Sequence, residues 1–327
     1  MSNNANAALV ACMRNEGLFI VEWVAYHRVI GFDRIVICSN DCTDGSDTLL
    51  DRLAQFGAID HLRNTVPPET APQDSGMRAA FAHLDPTDIE WIAHIDADEF
   101  LNIGLGDGHI SDLLARAGGG DVIALPWWAF GDSGHKHWPG SVLEHFTYAE
   151  EHPIPERCKF KSMFRFRDFE HASDHRPIGP KKDNTKVRSV EGKGLNATIL
   201  NTPARSKYRP FDRSIQPQAA CVNHYAVPSR DVFLMKNDRG DGQATRSDKY
   251  MLGSRWHQIA NQNTRQNLSI QRHLGAVQNE MARLRAQPDI NAAETRCKAW
   301  LTARSAALLT PEQIRKWSKP QARDTPA

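Results

Sequence analysis

Three times in the first hundred residues a short apolar run stops abruptly on a cluster of polar side chains, and this repetition limits the fold more than any other feature. Ala8 to Met13 (ALVACM) ends on Arg14, Asn15 and Glu16. Arg34 to Cys38 (RIVIC) ends on Ser39, Asn40, Asp41 and Asp44, and Trp91 to Ile95 ends on Asp96, Asp98 and Glu99. Such short, continuously apolar runs read as buried strands of a parallel sheet. Between the first two, Phe19, Ile20, Trp23, Val24, Val29 and Ile30 recur mostly three and four apart, a helical spacing that Gly31 terminates. A second helix is expected from Ser46 to Phe56, stopped by Gly57, and a weaker strand from Ile59 to Leu62. Strand, helix, strand, helix, strand makes a parallel sheet with right-handed crossovers the economical topology. After the looser NTVPPETAPQD, helices are expected at Ser75 to Leu84 and Ile110 to Ala117, and a further strand at Val122 to Trp128. The expected class is α/β: a mixed, mostly parallel, Rossmann-like sheet flanked by helices.

Beyond Ser254 the pattern becomes polar and helical. Leu268, His273, Val277, Met281 and Leu284 leave one modest apolar stripe, and a helical pair follows at Ala293 to Leu308 and Pro311 to Trp317. The division expected is a catalytic-type domain over 1–253 and a helical extension over 254–327, packed on the sheet or used for self-association. With 40 basic and 39 acidic side chains, charge gives no drive toward nonspecific nucleic-acid binding. The six cysteines show no CxxC pair, which argues against zinc ribbons and disulfide frameworks and fits reduced thiols in a cytosol. No run approaches the ~20 apolar residues of a membrane span, and no secretory leader opens the chain, so membrane contact, if any, is expected to be peripheral, at an inner membrane face.

Parallel strands share direction, so the three polar clusters should gather around one crevice at the carboxyl edge of the sheet, where open α/β sheets bind ligands. On an extended backbone Asp96 and Asp98 point to one face and Glu99 to the other. Two such carboxylates suit a hard divalent cation, Mg²⁺ or Mn²⁺. Asn15, Asn40, Asp41 and Asp44 are suited to the polar edge of a nucleobase or a ribose, and backbone amides around Gly17 to phosphate oxygens. The plainer reading of each cluster is a solvated turn with a helix cap.

Together, ACMRNEG, VICSNDCTDGS and IAHIDADEFL resemble the GT-A-fold glycosyltransferases of the family-2-like and family-92-like groups, over roughly Ala8 to Gly131. CVNHYAVPSRDVFLMKNDRG, which carries Asn223 to Gly240, resembles them too. The resemblance implies a GT-A fold and transfer of a sugar from a nucleotide diphosphate to a hydroxyl acceptor, glycan, lipid-linked or other. It implies Mn²⁺ or Mg²⁺ on Asp96 and Asp98, with His224 matching the late histidine that completes the coordination. A UDP-linked donor and inversion of configuration are further expectations taken from it.

Inversion requires a base within reach of the acceptor hydroxyl. Asp132, beside the aromatic wall of Trp127, Trp128 and Phe130, and Glu99 are the candidates, although alternation along the strand assigns Glu99 a structural place rather than a metal one. From Arg157 to Arg188 basic residues accumulate. Lys159 and Lys161, two apart, share a strand face that fits a diphosphate or an anionic acceptor, and the alternative is a solvated basic surface. Arg239, flanked by Gly240 and Gly242, is a second candidate for the departing diphosphate, with Arg14 and Glu16 on the first loop. Two rivals stand beside this reading: another metal-dependent phosphate enzyme, such as a nucleotidyltransferase, and a noncatalytic sugar-nucleotide or glycan-binding protein.

Overall fold

The computed structural model describes residues 6–117, 119–202, 207–240 and 248–319. Its sheet grows from β1 (Ala7–Met13), which pairs in parallel with β2 (Arg34–Ser39) on one side; β2 in turn pairs in parallel with β3 (Asp60–Arg63). On its other side β1 is parallel to β4 (Trp91–His94). Later strands follow as β5 (Glu99–Ile103), β6 (Val122–Ala129), β7 (Tyr148–Ala149), β8 (Phe160–Arg165), β9 (Phe169–Ala172), β10 (Pro177–Pro180), β11 (Val187–Ser189), β12 (Gly194–Leu195), β13 (Ala220–His224) and β14 (Arg265–Gln266). β8 runs antiparallel between β4 and β6. β13 lies parallel to β6 and antiparallel to β5. The sheet is therefore mixed and mostly parallel, the α/β arrangement expected from the sequence and implied by the GT-A resemblance.

Helices cover both faces. α1 (Ile20–Val29) and α2 (Ser46–Gln55) lie on the face that receives Leu9 and Ala11, and α3 (Pro72–Leu84) lies on the face that receives Ala8 and Val10. α3 begins three residues before the expected Ser75, because Pro72 sits in its first turn, where a missing N–H costs nothing. Then come α4 (Ile110–Ala117), α5 (Val142–His145), α6 (Phe211–Ser214), α7 (Arg230–Arg239), α8 (Arg255–Ala260), α9 (Leu274–Arg285), α10 (Pro288–Leu308) and α11 (Pro311–Lys316). α9 packs on α1 and α10 on α2, and Val277, Met281, Leu284, Ile290, Ala293 and Cys297 join the same apolar core as the sheet. Residues 261–273 depart from the expected continuous helix: β14 pairs with β7 and a 3₁₀ turn occupies Ser269–His273. No helix among the described residues is long and apolar enough to cross a membrane.

Candidate functional site

The acidic run does not stay extended. β4 ends at His94, residues 95–98 form a turn, and Glu99 opens β5. The expected single face for Asp96 and Asp98 is replaced by a turn pinned from two sides. The Trp23 indole N–H, on α1, donates to the carbonyls of Asp96 (3.1 Å) and Glu99 (2.9 Å), and Tyr225 N–H donates to the carbonyl of Asp98 (2.8 Å). Glu99 turns inward with no exposed surface and accepts the Asp96 N–H at 2.9 Å. Burial, only partly offset by Lys161, raises its pKa well above the usual carboxylate range. A group so enclosed has no access to an acceptor.

Each aspartate is held by its own buried lysine. Lys161 Nζ, on β8, donates to Asp96 Oδ2 (2.9 Å) and Asp174 Oδ1 (2.5 Å), and lies 3.3 Å from Glu99 Oε2. Lys236 Nζ, on α7, donates to Asp98 Oδ2 (2.6 Å) and to the carbonyl of Ala226 (2.9 Å). Burial would lower the pKa of each ammonium, but the carboxylates around it more than reverse that, so both remain charged. For Asp98, burial acts upward and the Lys236 ammonium beside it more than offsets that, holding the carboxyl below its usual pKa.

The antiparallel register of β13 with β5 sets His224 opposite Glu99, which brings its Nε2 to 3.8 Å from Asp98 Oδ1. Burial pushes the His224 pKa down to about 3 against the pull of Asp98, so the imidazole is neutral and keeps a lone pair to give. A second histidine stands on the other flank. His94 Nδ1 lies 3.3 Å from the Asp174 carbonyl, while Nε2 is 4.0 Å from Asp96 Oδ1 and is buried without a hydrogen-bond partner among the described residues. His94, Asp96 and Asp174 can each offer one ligand atom within 4.8 Å of the others. Carboxylate oxygens, a neutral imidazole and an orphaned ring nitrogen form a donor set that a hard divalent ion fits.

Asp96, Asp98, Asp174, His224 and Lys236 border a cleft of about 610 Å³ lined also by Cys12, Arg14, Glu16, Asn40, Gln73, Asp74, Trp127, Lys159, His175, Arg239, Lys249, Tyr250 and Trp256, while His94, Glu99 and Lys161 stand behind that lining. Of the residues expected at the site, Arg14, Glu16, Asn40, Asp96, Asp98, Lys159, His224 and Arg239 meet there, with Arg239 paired to Glu16. Asn15, Asp41 and Asp44 do not line it. Asn15 exchanges hydrogen bonds with Thr43, and Asp44 accepts from Gly17 N–H (3.0 Å) and Ser46 N–H (2.8 Å), fixing the loop and opening α2. Asp41 faces a separate hollow beside Arg63 and Thr65. Asp132 also lies outside the lining, its carboxylate accepting from Asn261, Asn263 and the Gly134 N–H. Of the expected aromatic wall only Trp127 lines the cleft, since Phe130 is core and the Trp128 indole donates to the Glu150 carbonyl. Gly242 lies outside the described residues.

Sequence reasoning missed His94, Asp174 and Lys236. Lys236 had a signal, since it closes VFLMK, five consecutive residues that are all buried. Asp174 had none, because it reaches the site from the turn between β9 and β10, a hairpin packed beside β8.

Comparison with known proteins adds a name to the pattern. The chain is 32% identical over 234 residues to a glycosyltransferase family 92 protein of Ricinus communis, covering 68% of this chain and 36% of that protein. It is 32% identical over 105 residues to a glycosyltransferase family 92 protein of Oryza sativa subsp. japonica, covering 31% of this chain and 17% of that one. The chain thus spans about a third or less of the curated relatives it matches. No family model matches it. Among solved structures, S. aureus TarS 1-349 aligns at a TM-score of 0.32 and 14% identity, over 49% of this chain and 47% of that one. Glucosyl-3-phosphoglycerate synthase from Mycobacterium tuberculosis, in complex with Mn²⁺, uridine diphosphate and glucosyl-3-phosphoglycerate, aligns at 0.25 and 15%, over 36% and 42%.

Proposed function

We propose that this chain belongs with the glycosyltransferase family 92 proteins it resembles, and that it transfers a sugar from a nucleoside-diphosphate donor, UDP-linked, to a hydroxyl acceptor with inversion. The observation that carries the proposal is the convergence, in one cleft, of Asp96, Asp98 and neutral His224 with the cationic side chains of Arg14, Lys236 and Arg239. Asp96, Asp98 and His224, with the His94 nitrogen close by, would hold Mn²⁺ or Mg²⁺. When bound, the ion supplies positive charge to the diphosphate as it leaves.

The chain's own residues do the rest. Buried Lys161 and Lys236 hold the two aspartates in place through their ion pairs, so their geometry does not have to be assembled on binding. Arg14 and Arg239 offer charge-assisted hydrogen bonds to phosphate oxygens, and Glu16 holds the Arg239 guanidinium in place through its ion pair. For the base, Glu99 is enclosed and Asp132 lies outside the cleft lining, so neither is assigned the role. The free, scattered cysteines support a place in a reducing compartment such as a cytosol.

The test is thermal stabilisation by a panel of nucleoside diphosphates and their sugars, with and without Mn²⁺. A metal-dependent shift with one nucleoside diphosphate is expected, amounting to about 2.7 kcal/mol at a hundredfold excess over Kd. No shift with any nucleotide, or a shift unaltered in Asp98→Asn, would sink the reading.

A further inference from the structure

We infer that Cys12 and Cys38 are a reversible modification site: under oxidation they close to a disulfide, and that bond weakens ligand binding in the cleft. The inference goes beyond the transferase reading, and its first readout does not depend on it. The two residues are directly opposed in the parallel register of β1 and β2, each one residue from the end of its strand. Paired strands run about 4.7–4.9 Å apart, inside the roughly 4.4–6.8 Å between Cα atoms that a disulfide spans. Both side chains lie on the face covered by α3, and each thiol donates to a carbonyl of that helix, Cys12 to Gln73 O at 3.7 Å and Cys38 to Gly76 O at 3.1 Å. Gly76 leaves the room for this. A Cβ there would stand 2.6 Å from Cys12 Sγ and 3.1 Å from Cys38 Cβ, so the sulfur of one cysteine and the β-carbon of the other crowd the same point.

The two thiols differ in access. Cys12 is half-buried and lines the cleft, whereas Cys38 belongs to the core at 2% exposure. An oxidant entering the cleft therefore meets Cys12 first, and Cys38 is placed to resolve the product. Hydrogen peroxide supplies the oxidising equivalent. The Cys12 thiolate attacks one peroxide oxygen, the O–O bond breaks, and the departing hydroxide takes up a proton as water, leaving a sulfenic acid on Cys12. The Cys38 sulfur then attacks the Cys12 sulfur, the S–O bond breaks, and the Cys38 proton leaves with the hydroxide as a second water. The neighbouring Cys38 thiol, and then burial, hold the Cys12 pKa well above the usual thiol range, which keeps the thiolate scarce and the first step slow. The pair thus answers sustained oxidation rather than a brief pulse. Closure takes both S–H donors away from the start of α3, which borders the cleft through Pro72, Gln73 and Asp74. Gln73 Nε2 also donates to Asp96 Oδ1 at 3.2 Å, so a change at Cys12 reaches a proposed metal ligand through one residue.

The full chain is treated with hydrogen peroxide, with and without later dithiothreitol, its disulfides are located by peptide mass mapping, and its affinity for UDP with Mn²⁺ is measured calorimetrically. Cys12 and Cys38 should be the pair joined, dithiothreitol should open the bond, and the joined chain should bind UDP about three- to tenfold more weakly, the scale of one lost hydrogen bond. In Cys38→Ala no disulfide should form at Cys12, and dimedone should capture there a sulfenic acid that the unaltered chain does not accumulate. If that variant does not fold, the mapping of the unaltered chain decides alone. Oxidation that joins other cysteines, or that leaves Cys12 and Cys38 unjoined, overturns the site. A bond between them that leaves UDP affinity unchanged overturns its effect on the cleft. Failure of UDP to bind the reduced chain would count instead against the transferase reading, because the disulfide is mapped without nucleotide.

Discussion

Replacing Lys161 by methionine keeps most of the side chain's length and removes the ammonium that Asp96, Asp174 and Glu99 share. Lys161 has no exposed surface, and breaking a fully buried ion pair from one side costs about 3–5 kcal/mol, mostly as unpaired charge left behind. The side chains of Asp96 and Asp174 keep 25% and 21% exposure to the cleft, and Glu99 is already biased toward its neutral form, so the cost falls at the low end, about 3 kcal/mol near pH 7.5. Over 327 residues, at about 2.1 cal/mol/K of unfolding entropy each, that corresponds to a melting-temperature loss of roughly 4 °C. The pH dependence identifies the cause. Burial alone would raise the Asp174 pKa, but Lys161, then His175 and His94, hold it well below the usual range. A carboxyl so depressed contributes stability above its unfolded pKa and loses it only as pH falls through the folded value. Without Lys161 the shift reverses, so the variant loses stability as pH rises from about 4 to 7. The deficit against the unaltered chain, measured by urea denaturation between about pH 5 and 8, should therefore shrink toward acid, and Lys161→Met with Asp174→Asn should recover part of it. A deficit below about 1 kcal/mol, or one constant across that range, would refute the view of Lys161 as the charge that holds the acids.

Asp98→Asn should abolish the Mn²⁺-dependent part of nucleotide-induced thermal stabilisation while costing about 1–3 kcal/mol of stability itself, because Lys236 loses its only carboxylate among the described residues; a preserved metal-dependent shift would count against Asp98 as a ligand. Gly17→Ala should cost about 1–3 kcal/mol by calorimetry, since the added Cβ would meet Cys297 Cβ at 2.4 Å and Sγ at 2.6 Å. Because the closest contact is to Cβ, Cys297→Ala should not rescue it, and a full rescue would place the strain elsewhere. His27, enclosed with its Nδ1 2.9 Å from the Trp23 carbonyl, has a pKa lowered by burial to about 3, so the unfolded chain takes up its proton first and stability is lost as pH falls from about 6.5. Its share is about 1.4 kcal/mol per pH unit, and His27→Phe should flatten the acid limb of the stability curve by that amount.

The strands and helices around the cleft were legible because each is written in local periodicity. β1, β2, α1 and α2 follow from apolar spacing, and Gly31 and Gly57 take up the left-handed conformation that ends each helix, at φ 97° and 75°. The meeting of the first-loop cluster with the aspartates was legible too, since strands that share a direction share an edge. Legibility failed where a side chain's place depends on a distant partner. Extended alternation predicted one face for Asp96 and Asp98, but the Trp23 indole and the Tyr225 N–H bend that run into a turn, and each aspartate finds a different lysine. Asn15 and Asp44 read equally well as ligands and as loop braces, because a side chain that accepts from a backbone amide and one that accepts from a ribose are the same residue in sequence; Gly17 and Ser46 decide for Asp44. The lysines show the limit most clearly. In the sequence Lys161 and Lys159 are two cations on one strand face, yet one is sealed among carboxylates and the other stands beside two indoles. Their difference arises from β9–β10 and α8, segments brought to β8 only by tertiary packing. Alternation along a strand thus identifies the side of the sheet a charge will occupy, and the elements packed over that side determine whether it holds the protein together or faces the cleft.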